Sequence, residues 1–266
     1  MLPQIISQSR HRFDSDARLW INAVEAADAQ ALEYGVKHAM NSLVVDLKAN
    51  SLWSLISSMT VKMAARTLAG ALIDIKTPAS SWTNFNFVSG DYNRTTGLIG
   101  NGTTKYLNTN RNNNAEAQND QSIWTFVSSI ASTNAMAYIA GGIPAESGAS
   151  GFTRNSAGNI NFTSRNSTAV IDTGANAIGL IGLSRSIAGS FVSRGNGANQ
   201  NTNISTSETP LSANIYDHAA NFSSTGVAQD FSDHRSRASC IGQAMTLATA
   251  DTVFAAFVTK ITALSL

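Results

Sequence analysis

Closely spaced glycines are the first residues in this sequence that could do chemistry, because glycine-rich loops bind phosphate groups through backbone amides. The run FNFVSGDYNRTTGLIGNGTTKYLNTNRNNN, residues 85–114, contains GLIGNGTTK. A P-loop needs four residues between its glycines, then Lys with Ser or Thr, and then a helix. Here the glycines lead into TKYLNTN, whose pattern is typical of a strand. The spacing therefore predicts a hairpin with Asn101 and Gly102 in its turn, since both tolerate positive φ.

The sequence has no pattern for nucleophilic catalysis. GLSRS, which begins at Gly182, lacks the second glycine of a nucleophile elbow, so Ser184 is predicted to be an ordinary strand residue. Cys240 lies in the apolar stretch ASCIGQAM, without a neighbouring histidine or lysine to activate it. We therefore expect its thiol to be a small buried hydrophobic group.

The histidines and carboxylates form no recognisable ligand pattern. The four histidines are His11, His38, His218 and His234. They show neither the i,i+4 spacing nor the cysteine partner of a zinc site, and no EF-hand spacing supports Ca²⁺. Acidic residues after Pro78 could still supply the carboxylate pair of a polysaccharide-cleaving enzyme. We expect no catalytic, cofactor-binding or metal-binding residue, and we expect His218 and His234 in exposed loops.

The composition argues against nucleic acid and membrane insertion. The chain has 266 residues and a formal net charge of +1, with 13% charged residues and no run of lysine or arginine. Binding to phosphate backbones depends on clustered cations, so we expect no nucleic-acid partner. No window approaches the roughly 20 apolar residues of a membrane span, and the amino terminus lacks the pattern of a signal peptide. We expect synthesis in a cytoplasm.

Residues before Pro78 follow a helical repeat. One helix is predicted to begin at Asp16 and a longer one to cover residues 28–49, with Asp28 as its N-cap. Ser51 and the following LWSLISSM predict a third, short helix. The longer helix carries apolar residues at steps of three and four: Leu32, Val36, Met40, Leu43 and Leu47. This face either packs within the chain or forms a self-association seam between copies.

After Pro78 the sequence changes to short alternating runs separated by turns. Candidate strands include FNFV, TKYLN, SIWTFVSSI and AIGLIGLSRS, and the separators include GNG, SAGN and GNGAN. Asn and Gly in these separators favour tight turns. Short strands at this spacing favour an antiparallel sandwich over a βαβ fold. Thr249 and Asp251 are predicted to cap a terminal helix that closes the sandwich.

Polar loops with aromatic or arginine neighbours are the expected contact surface of the sandwich. Asn, Ser and Thr side chains form hydrogen bonds with glycans and with flat protein surfaces, although the same residues build ordinary turns. The candidate surface or receptor contacts are Tyr92, Asn93, Arg94, Asn112, Asn113, Asn114, Asn196 and Asn199.

The order of these segments resembles a group of virion proteins from tailed bacteriophages. The resemblance lies in helical stretches such as AVEAADAQALEYGVKHAM, in residues 85–114, in IGLIGLSRSIAGSFVSRGNG and in the terminal SCIGQAMTLATADTVFAAFVTKITALSL. It spans residues 20–266 and implies a concanavalin A-like, laminin G-type jelly roll in the carboxyl-terminal half. It supplies no catalytic residue or Ca²⁺-binding residue to carry over.

The expected fold is mainly β, an antiparallel jelly-roll sandwich with an N-terminal α-helical segment and a C-terminal closing helix. Residues 1–20 are expected to attach the chain, residues 21–78 to form a helical oligomerisation region, and residues 79–266 to form the sandwich. The resemblance implies a tail fibre or tail-associated adhesion subunit on the virion, a homotrimer that contacts other virion proteins and a host-surface glycan. A capsid or baseplate decoration protein is the alternative, and a polysaccharide-degrading tail enzyme is the third.

Overall fold

Two largely antiparallel β-sheets lie face to face and form a sandwich, with an N-terminal helical segment and a C-terminal helix. The structure is a computed structural model that describes residues 13–132, 136–143, 145–223 and 226–266. Most of the expected attachment segment, including His11, lies outside the described residues. The predicted fold class, a mainly β sandwich with helices at both ends of the chain, is confirmed.

The first sheet contains eight strands. Numbered along the chain, they are β1 (Ile56–Val61), β3 (Tyr92–Asn93), β4 (Gly97–Ile99), β6 (Gln121–Ser129), β11 (Gly179–Ile187), β12 (Ser190–Gly195), β13 (Ala198–Ile204) and β17 (Arg235–Gly242). Their spatial order is β13-β12-β11-β6-β17-β4-β3, and β1 pairs with the other part of β17. The sheet therefore places strands from the beginning, middle and end of the chain side by side.

The second sheet contains nine strands. They are β2 (Thr83–Phe85), β5 (Tyr106–Asn112), β7 (Met136–Gly141), β8 (Ser150–Arg154), β9 (Ile160–Ser164), β10 (Val170–Asp172), β14 (Asn214–Asp217), β15 (Ala220–Phe222) and β16 (Val227–Gln229). The order is β10-β9-β8-β7-β14-β5-β2, and the β15–β16 hairpin adds to β7. The short β2 forms one edge of this sheet.

The described residues form four α-helices: α1 (Ser15–Asp28), α2 (Tyr34–Ala49), α3 (Leu68–Ala71) and α4 (Leu247–Thr262). Asp14, rather than Asp16, caps α1, because its carboxylate accepts a hydrogen bond from the Asp16 amide at 2.9 Å. Helix α2 begins six residues later than the expected start at Asp28. None of the described helices is long and apolar enough to cross a membrane.

Asp28 ends α1 instead of beginning the next helix, so its predicted role as an N-cap was wrong. Its carboxylate accepts hydrogen bonds from the Arg66 amide at 2.7 Å, the Thr67 amide at 2.9 Å and the Thr67 hydroxyl at 2.6 Å. These donors come from a segment almost forty positions further along the chain. Local capping patterns cannot predict a partner that only tertiary packing brings close.

The third predicted helix was also wrong, because Ile56–Val61 forms strand β1. The strand pairs with β17, with Met59 opposite Cys240 and Val61 opposite Ala238. All but one of its residues are buried. A short apolar run is ambiguous between helix and strand, and here pairing with a sheet edge decides the outcome.

Strand β6 is buried on both faces and contributes to two separate cores. Trp124 and Phe126 join the apolar side chains of α1, α2 and α4 in the core between the helices and the first sheet. Ile123 and Val127 join the core between the two sheets. Successive side chains of a strand lie on opposite faces, so one strand can serve both cores. The helices therefore cover the outer face of the first sheet.

The Asn101–Gly102 turn connects the two sheets and is not the turn of a hairpin. The preceding β4 lies in the first sheet, whereas the following β5 lies in the second. The Asn101 side-chain oxygen accepts hydrogen bonds from the backbone amides of Thr103, Thr104 and Lys105 at 2.9–3.1 Å, and Gly102 has φ +71°. The prediction of the turn residues is confirmed, but their place in a hairpin is corrected. Local sequence specifies the bend, not the sheet that the next strand joins.

Helix α4 confirms the predicted terminal helix, with a different start. Thr246 is the N-cap, rather than Thr249 or Asp251. Phe254 packs on the first sheet, with its ring centroid 5.9 Å from that of Trp124. Asp251 is instead the partner of Arg194 on β12. The helix thus closes one face of the sandwich and is tied to a strand of the first sheet.

Candidate functional site

An open cleft of about 470 Å³ lies where the start of α4 meets β11, the β12–β13 hairpin and the loop after α2. Its apolar lining includes Leu52, Leu55 and Val192, and none of its lining residues is charged. Its polar lining consists of hydroxyl and amide side chains: Asn50, Ser51, Ser184, Ser186, Asn199, Thr246 and Thr249. A hollow of about 330 Å³ adjoins the cleft and shares Asn50 and Thr249 with it. This lining offers hydrogen bonds to an uncharged ligand but no countercharge to an anion.

Ionic and hydrogen-bonded contacts hold the two walls of the cleft together. The Arg194 guanidinium contacts the Asp251 carboxylate at 2.7 and 3.1 Å, which joins β12 to α4. The same guanidinium donates to the Asn199 side-chain oxygen at 3.1 Å. Across the cleft, the Ser184 hydroxyl accepts from the Met245 amide at 3.1 Å. These contacts place Asn199 and Ser184 on a preorganised surface.

The predicted contact residues Tyr92 and Arg94 have structural partners. The Tyr92 hydroxyl donates to the Ala65 carbonyl at 2.8 Å, and burial raises the pKa of Tyr92 well above its ordinary value. The Arg94 guanidinium binds the Glu33 carboxylate at 3.0 and 2.6 Å. The exposed Asn93 shapes the turn that follows β3, by accepting from two backbone amides at 2.9 Å. Tyr92 and Arg94 thus connect the sandwich to the helical region.

The predicted contacts Asn112, Asn113 and Asn114 lie at the end of β5 and in the turn that follows it, and they differ in exposure. Asn113 is fully buried, and its side chain donates to the Gly148 carbonyl at 3.0 Å and the Leu211 carbonyl at 3.3 Å. Asn112 is half-buried and accepts from the Asn114 amide at 3.1 Å, whereas Asn114 is exposed. A surface role for Asn113 is therefore corrected, because its amide group closes buried backbone hydrogen bonds.

The two remaining predicted contacts lie on the β12–β13 hairpin. Asn196 is exposed at the tip of this hairpin with φ +49°, followed by Gly197 with φ +69°. Asn199 is also exposed and lines the cleft. Of the predicted contacts, Asn199 is therefore the one that lines the cleft.

The expected assembly seam is buried inside the chain. None of its five side chains is more than 4% exposed: Leu32, Val36, Met40, Leu43 and Leu47. They belong to the core shared by the helices, the first sheet and α4. The apolar face of α2 therefore packs within the chain, which is one of the two alternatives that the helical repeat left open. The face is not available to a second copy.

A buried polar cluster lies between the two sheets, and no sequence pattern predicts it. The Lys62 ammonium forms an ion pair with the Asp217 carboxylate and donates to the Ser239 hydroxyl at 2.7 Å. Lys62 follows β1, Asp217 ends β14 and Ser239 lies on β17. The side chains of Lys62 and Asp217 are fully buried. The pair thus spans the interior from one sheet to the other.

Two stacked imidazoles complete this cluster, so the prediction that His218 and His234 lie in exposed loops was wrong. Both residues are fully buried, and their ring centroids are 4.0 Å apart with an angle of 14° between the planes. His218 Nδ1 lies 3.1 Å from Asp217 Oδ1 without the alignment of a hydrogen bond. His234 Nδ1 lies 2.9 Å from the Ser232 hydroxyl. The Nε2 atoms of both rings have no hydrogen-bond partner among the described residues.

The electrostatics of the cluster favour one ion pair beside a neutral ring. Burial would raise the pKa of Asp217, but the Lys62 ammonium outweighs burial and holds the pKa below its ordinary value. Burial lowers the pKa of Lys62 against the attraction of Asp217. Burial and the neighbouring His218 lower the pKa of His234 well below its ordinary range. The imidazole of His234 is therefore neutral at neutral pH, with a nitrogen lone pair available to a ligand.

Three of the acidic residues after Pro78 that could have served in polysaccharide cleavage have structural partners. Glu116 pairs with Arg111, and Glu208 accepts from the Ser147 hydroxyl at 2.7 Å and the Ser167 hydroxyl at 2.8 Å. Asp172 accepts from Ser193. Such contacts are those of carboxylates that stabilise loops and strand ends.

Comparisons with known proteins support the fold. No protein-family model and no curated protein matches the chain. The binding domain of botulinum neurotoxin serotype D aligns with 79% of this chain at 13% identity and a TM-score of 0.50, and the chain spans 52% of that domain. A mutant sialidase from Trypanosoma rangeli aligns with 83% at 10% identity and a TM-score of 0.48, and the chain spans 39% of it.

The NanB sialidase from Streptococcus pneumoniae aligns with 58% of the chain at 10% identity and a TM-score of 0.38, and the chain spans 27% of it. At 13% identity, the match to the botulinum neurotoxin domain bears on the fold alone. The fold is a β-sandwich of the jelly-roll, concanavalin-like type.

Proposed function

We propose that this chain is a virion subunit of a tailed bacteriophage, a tail fibre or tail-associated adhesion subunit that binds a host-surface glycan. The observation that carries the proposal is the uncharged cleft at the start of α4, on a lectin-like sandwich. The assignment to a virion is supported by the resemblance of residues 85–114 and of the late strands to phage virion proteins.

The lining of the cleft suits a neutral sugar. Sugar hydroxyl groups both donate and accept hydrogen bonds, and Asn199, Ser186 and Thr246 provide exposed amide and hydroxyl groups. The Thr246 side chain does not cap α4. The Thr249 amide donates to the Thr246 carbonyl, so the amides of Leu247 and Ala248 are the donors that the start of the helix offers to a ligand. Apolar side chains such as Val192 provide contacts for the C–H faces of a sugar ring.

The proposed subunit assembles with other virion proteins, as a homotrimer. Because the apolar face of α2 is buried within the chain, the trimer contacts lie on other surfaces. A decoration protein of the capsid or baseplate is distinguished from this subunit by its copy number, since it occurs in hundreds of copies per particle and a fibre in a few to tens.

The test combines binding with copy number. The full chain is titrated with envelope polysaccharides from the host, and Asn199→Ala with Ser186→Ala is compared with the exposed control Ser156→Ala, which lies outside the cleft. We expect the double variant to lose at least about tenfold in affinity and the control to bind normally. Equal affinity in both would reject the cleft, and absence of the chain from purified particles would reject the virion assignment. Sugar release during the titration would support the enzyme instead.

A further inference from the structure

Three side chains of the buried cluster bring potential ligand atoms close together. Asp217, His218 and His234 each offer one such atom, and these atoms all lie within 4.8 Å of one another. We propose that Asp217, His218 and His234 bind a divalent transition-metal ion between the two sheets. The proposal is independent of glycan binding, because the cluster is buried in the sandwich and the cleft lies at its surface.

The donor set fits the chemistry of zinc and its neighbours. Two imidazole nitrogens and a carboxylate oxygen are ligands that these ions accept at about 2.0–2.2 Å. At such bond lengths the ligand atoms of a tetrahedral site lie roughly 3.3–3.6 Å apart. His218 Nδ1 and Asp217 Oδ1 are 3.1 Å apart, so this pair already has nearly the required spacing.

Outer contacts orient two of these ligands. The Ser232 hydroxyl lies 2.9 Å from His234 Nδ1, and in the tautomer in which it accepts the proton of Nδ1, the lone pair lies on the unpartnered Nε2. Lys62 holds Oδ2 of Asp217, which leaves Oδ1 of the same carboxylate facing His218. His218 itself is held at φ +67°, a conformation that non-glycine residues seldom adopt and that occurs often at functional sites.

Two features oppose the ion and make the proposal testable. The Lys62 ammonium repels a second cation in an interior where charges interact strongly. The imidazole lone pairs lie in the ring planes, so binding by both rings requires one ring to turn out of the observed stack. Removing the charge of Lys62 should therefore strengthen metal binding, and the bound state should lose the close stacking of His218 on His234.

A trapped water molecule is the competing explanation for the unpartnered atoms, since a water can bridge two to four buried polar groups. It differs from a metal in one measurable respect, because a water cannot replace the positive charge that Asp217 loses when Lys62 is changed.

The first experiment uses the full wild-type chain. Metal content is measured after purification without chelators, and thermal unfolding is followed with Zn²⁺, with EDTA and with neither. We expect about one ion per chain and a Tm higher by about 5 °C or more at 100-fold excess over Kd. Co²⁺ should give the visible absorption bands of a low-coordinate site with nitrogen ligands. No stoichiometric metal, no Zn²⁺-dependent shift and no Co²⁺ bands would overturn the proposal.

The second experiment uses matched variants. His234→Gln should abolish the Zn²⁺-dependent shift, while His38→Gln, which changes a histidine on the surface of α2, should retain it. Lys62→Met leaves the Asp217 carboxylate without its partner, so we expect a low Tm that Zn²⁺ restores, with affinity at least about tenfold above wild type. Failure of Zn²⁺ to raise the Tm of Lys62→Met would favour the water and reject the metal site. Equal Zn²⁺-dependent Tm shifts in His234→Gln and His38→Gln would also reject it.

Discussion

Arg94 and Glu33 form a two-pronged ion pair that ties the turn after β3 to the start of α2. The guanidinium nitrogens Nη1 and Nη2 lie 3.0 and 2.6 Å from the two carboxylate oxygens. Nη2 of the same guanidinium donates to the Ala64 carbonyl at 2.9 Å, and Arg66 adds a second cation 2.9 Å from Glu33. The sequence analysis proposed Arg94 as a contact to the host. In the structure, Arg94 instead holds the helical segment on the sandwich.

This ion pair predicts a loss of stability in acid. The hydrogen bond and charge of Arg94 lower the pKa of Glu33 to about 2 in the folded chain, whereas the ordinary value is 4.5. Between these values the unfolded chain binds the proton first, so the stabilisation is complete above pH 4.5 and is lost as the pH falls towards 2. Glu33→Gln should reduce the free energy of unfolding at pH 7 by about 1 kcal/mol, since the pair is partly solvent-exposed.

Urea unfolding at pH 7 and at pH 3 measures this difference. The gap between wild type and Glu33→Gln should shrink at the lower pH. Asp46→Asn serves as the control, because Asp46 and its partner Lys260 are both more than 40% exposed. A gap that stays constant with pH would mean that the Glu33 charge does not stabilise the fold.

The buried face of α2 predicts unfolding, and not dissociation, when charge is introduced. Val36→Asp with Leu43→Asp should abolish cooperative folding, because both side chains are almost fully buried in the chain's own core. Leu43→Ala alone should cost about 2–5 kcal/mol. Val45→Asp is the control, since Val45 lies on the same helix and is 43% exposed. Light scattering measures the oligomeric state of each variant, and circular dichroism measures whether it is folded. A folded monomer of the double variant would restore the seam hypothesis.

Neighbouring asparagines in the turn after β5 should respond differently to truncation. Asn113→Ala removes the side-chain donor to the Gly148 and Leu211 carbonyls, which keep only the backbone amides of Leu211 and Ala213 as donors. It also removes the acceptor of the buried Gln121 side-chain amide. We expect a loss of about 1–3 kcal/mol. Asn114→Ala, at an exposed position, should stay within about 0.5 kcal/mol of wild type. Equal effects in thermal unfolding would show that the buried amide of Asn113 contributes no specific stability.

Two glycines of the GNG run should tolerate alanine to different degrees. A Cβ at Gly100 would lie 1.9 Å from the Ser232 carbonyl oxygen and 3.0 Å from a carbon of the His218 ring. Gly100→Ala must therefore displace backbone beside the buried cluster, and we expect a fall in Tm of many degrees or no folded protein. Gly102→Ala would adopt the unfavourable φ of +71° and should cost about 1 kcal/mol. A small effect of Gly100→Ala on Tm would contradict this close approach.

Local sequence patterns predicted much of the architecture. Alternating runs separated by Asn- and Gly-rich turns identified the antiparallel sandwich, and a period near 3.6 identified α2 and α4. These signals are reliable because each depends on residues close together in the chain. The same signals failed at Ile56–Val61, where a short apolar run pairs with a distant sheet edge.

By itself, the sequence determined the class of fold, the terminal helix and the bends at residues such as Gly102, because backbone preferences and side-chain periodicity act over a few residues. Tertiary structure alone decided what covers the apolar face of α2, where Asn199 lies and which groups meet in the core. Lys62 and Asp217 are separated by 155 positions, and no local pattern links them. Their ion pair exists because folding the two sheets together removes both side chains from water, so that each needs the other as its partner.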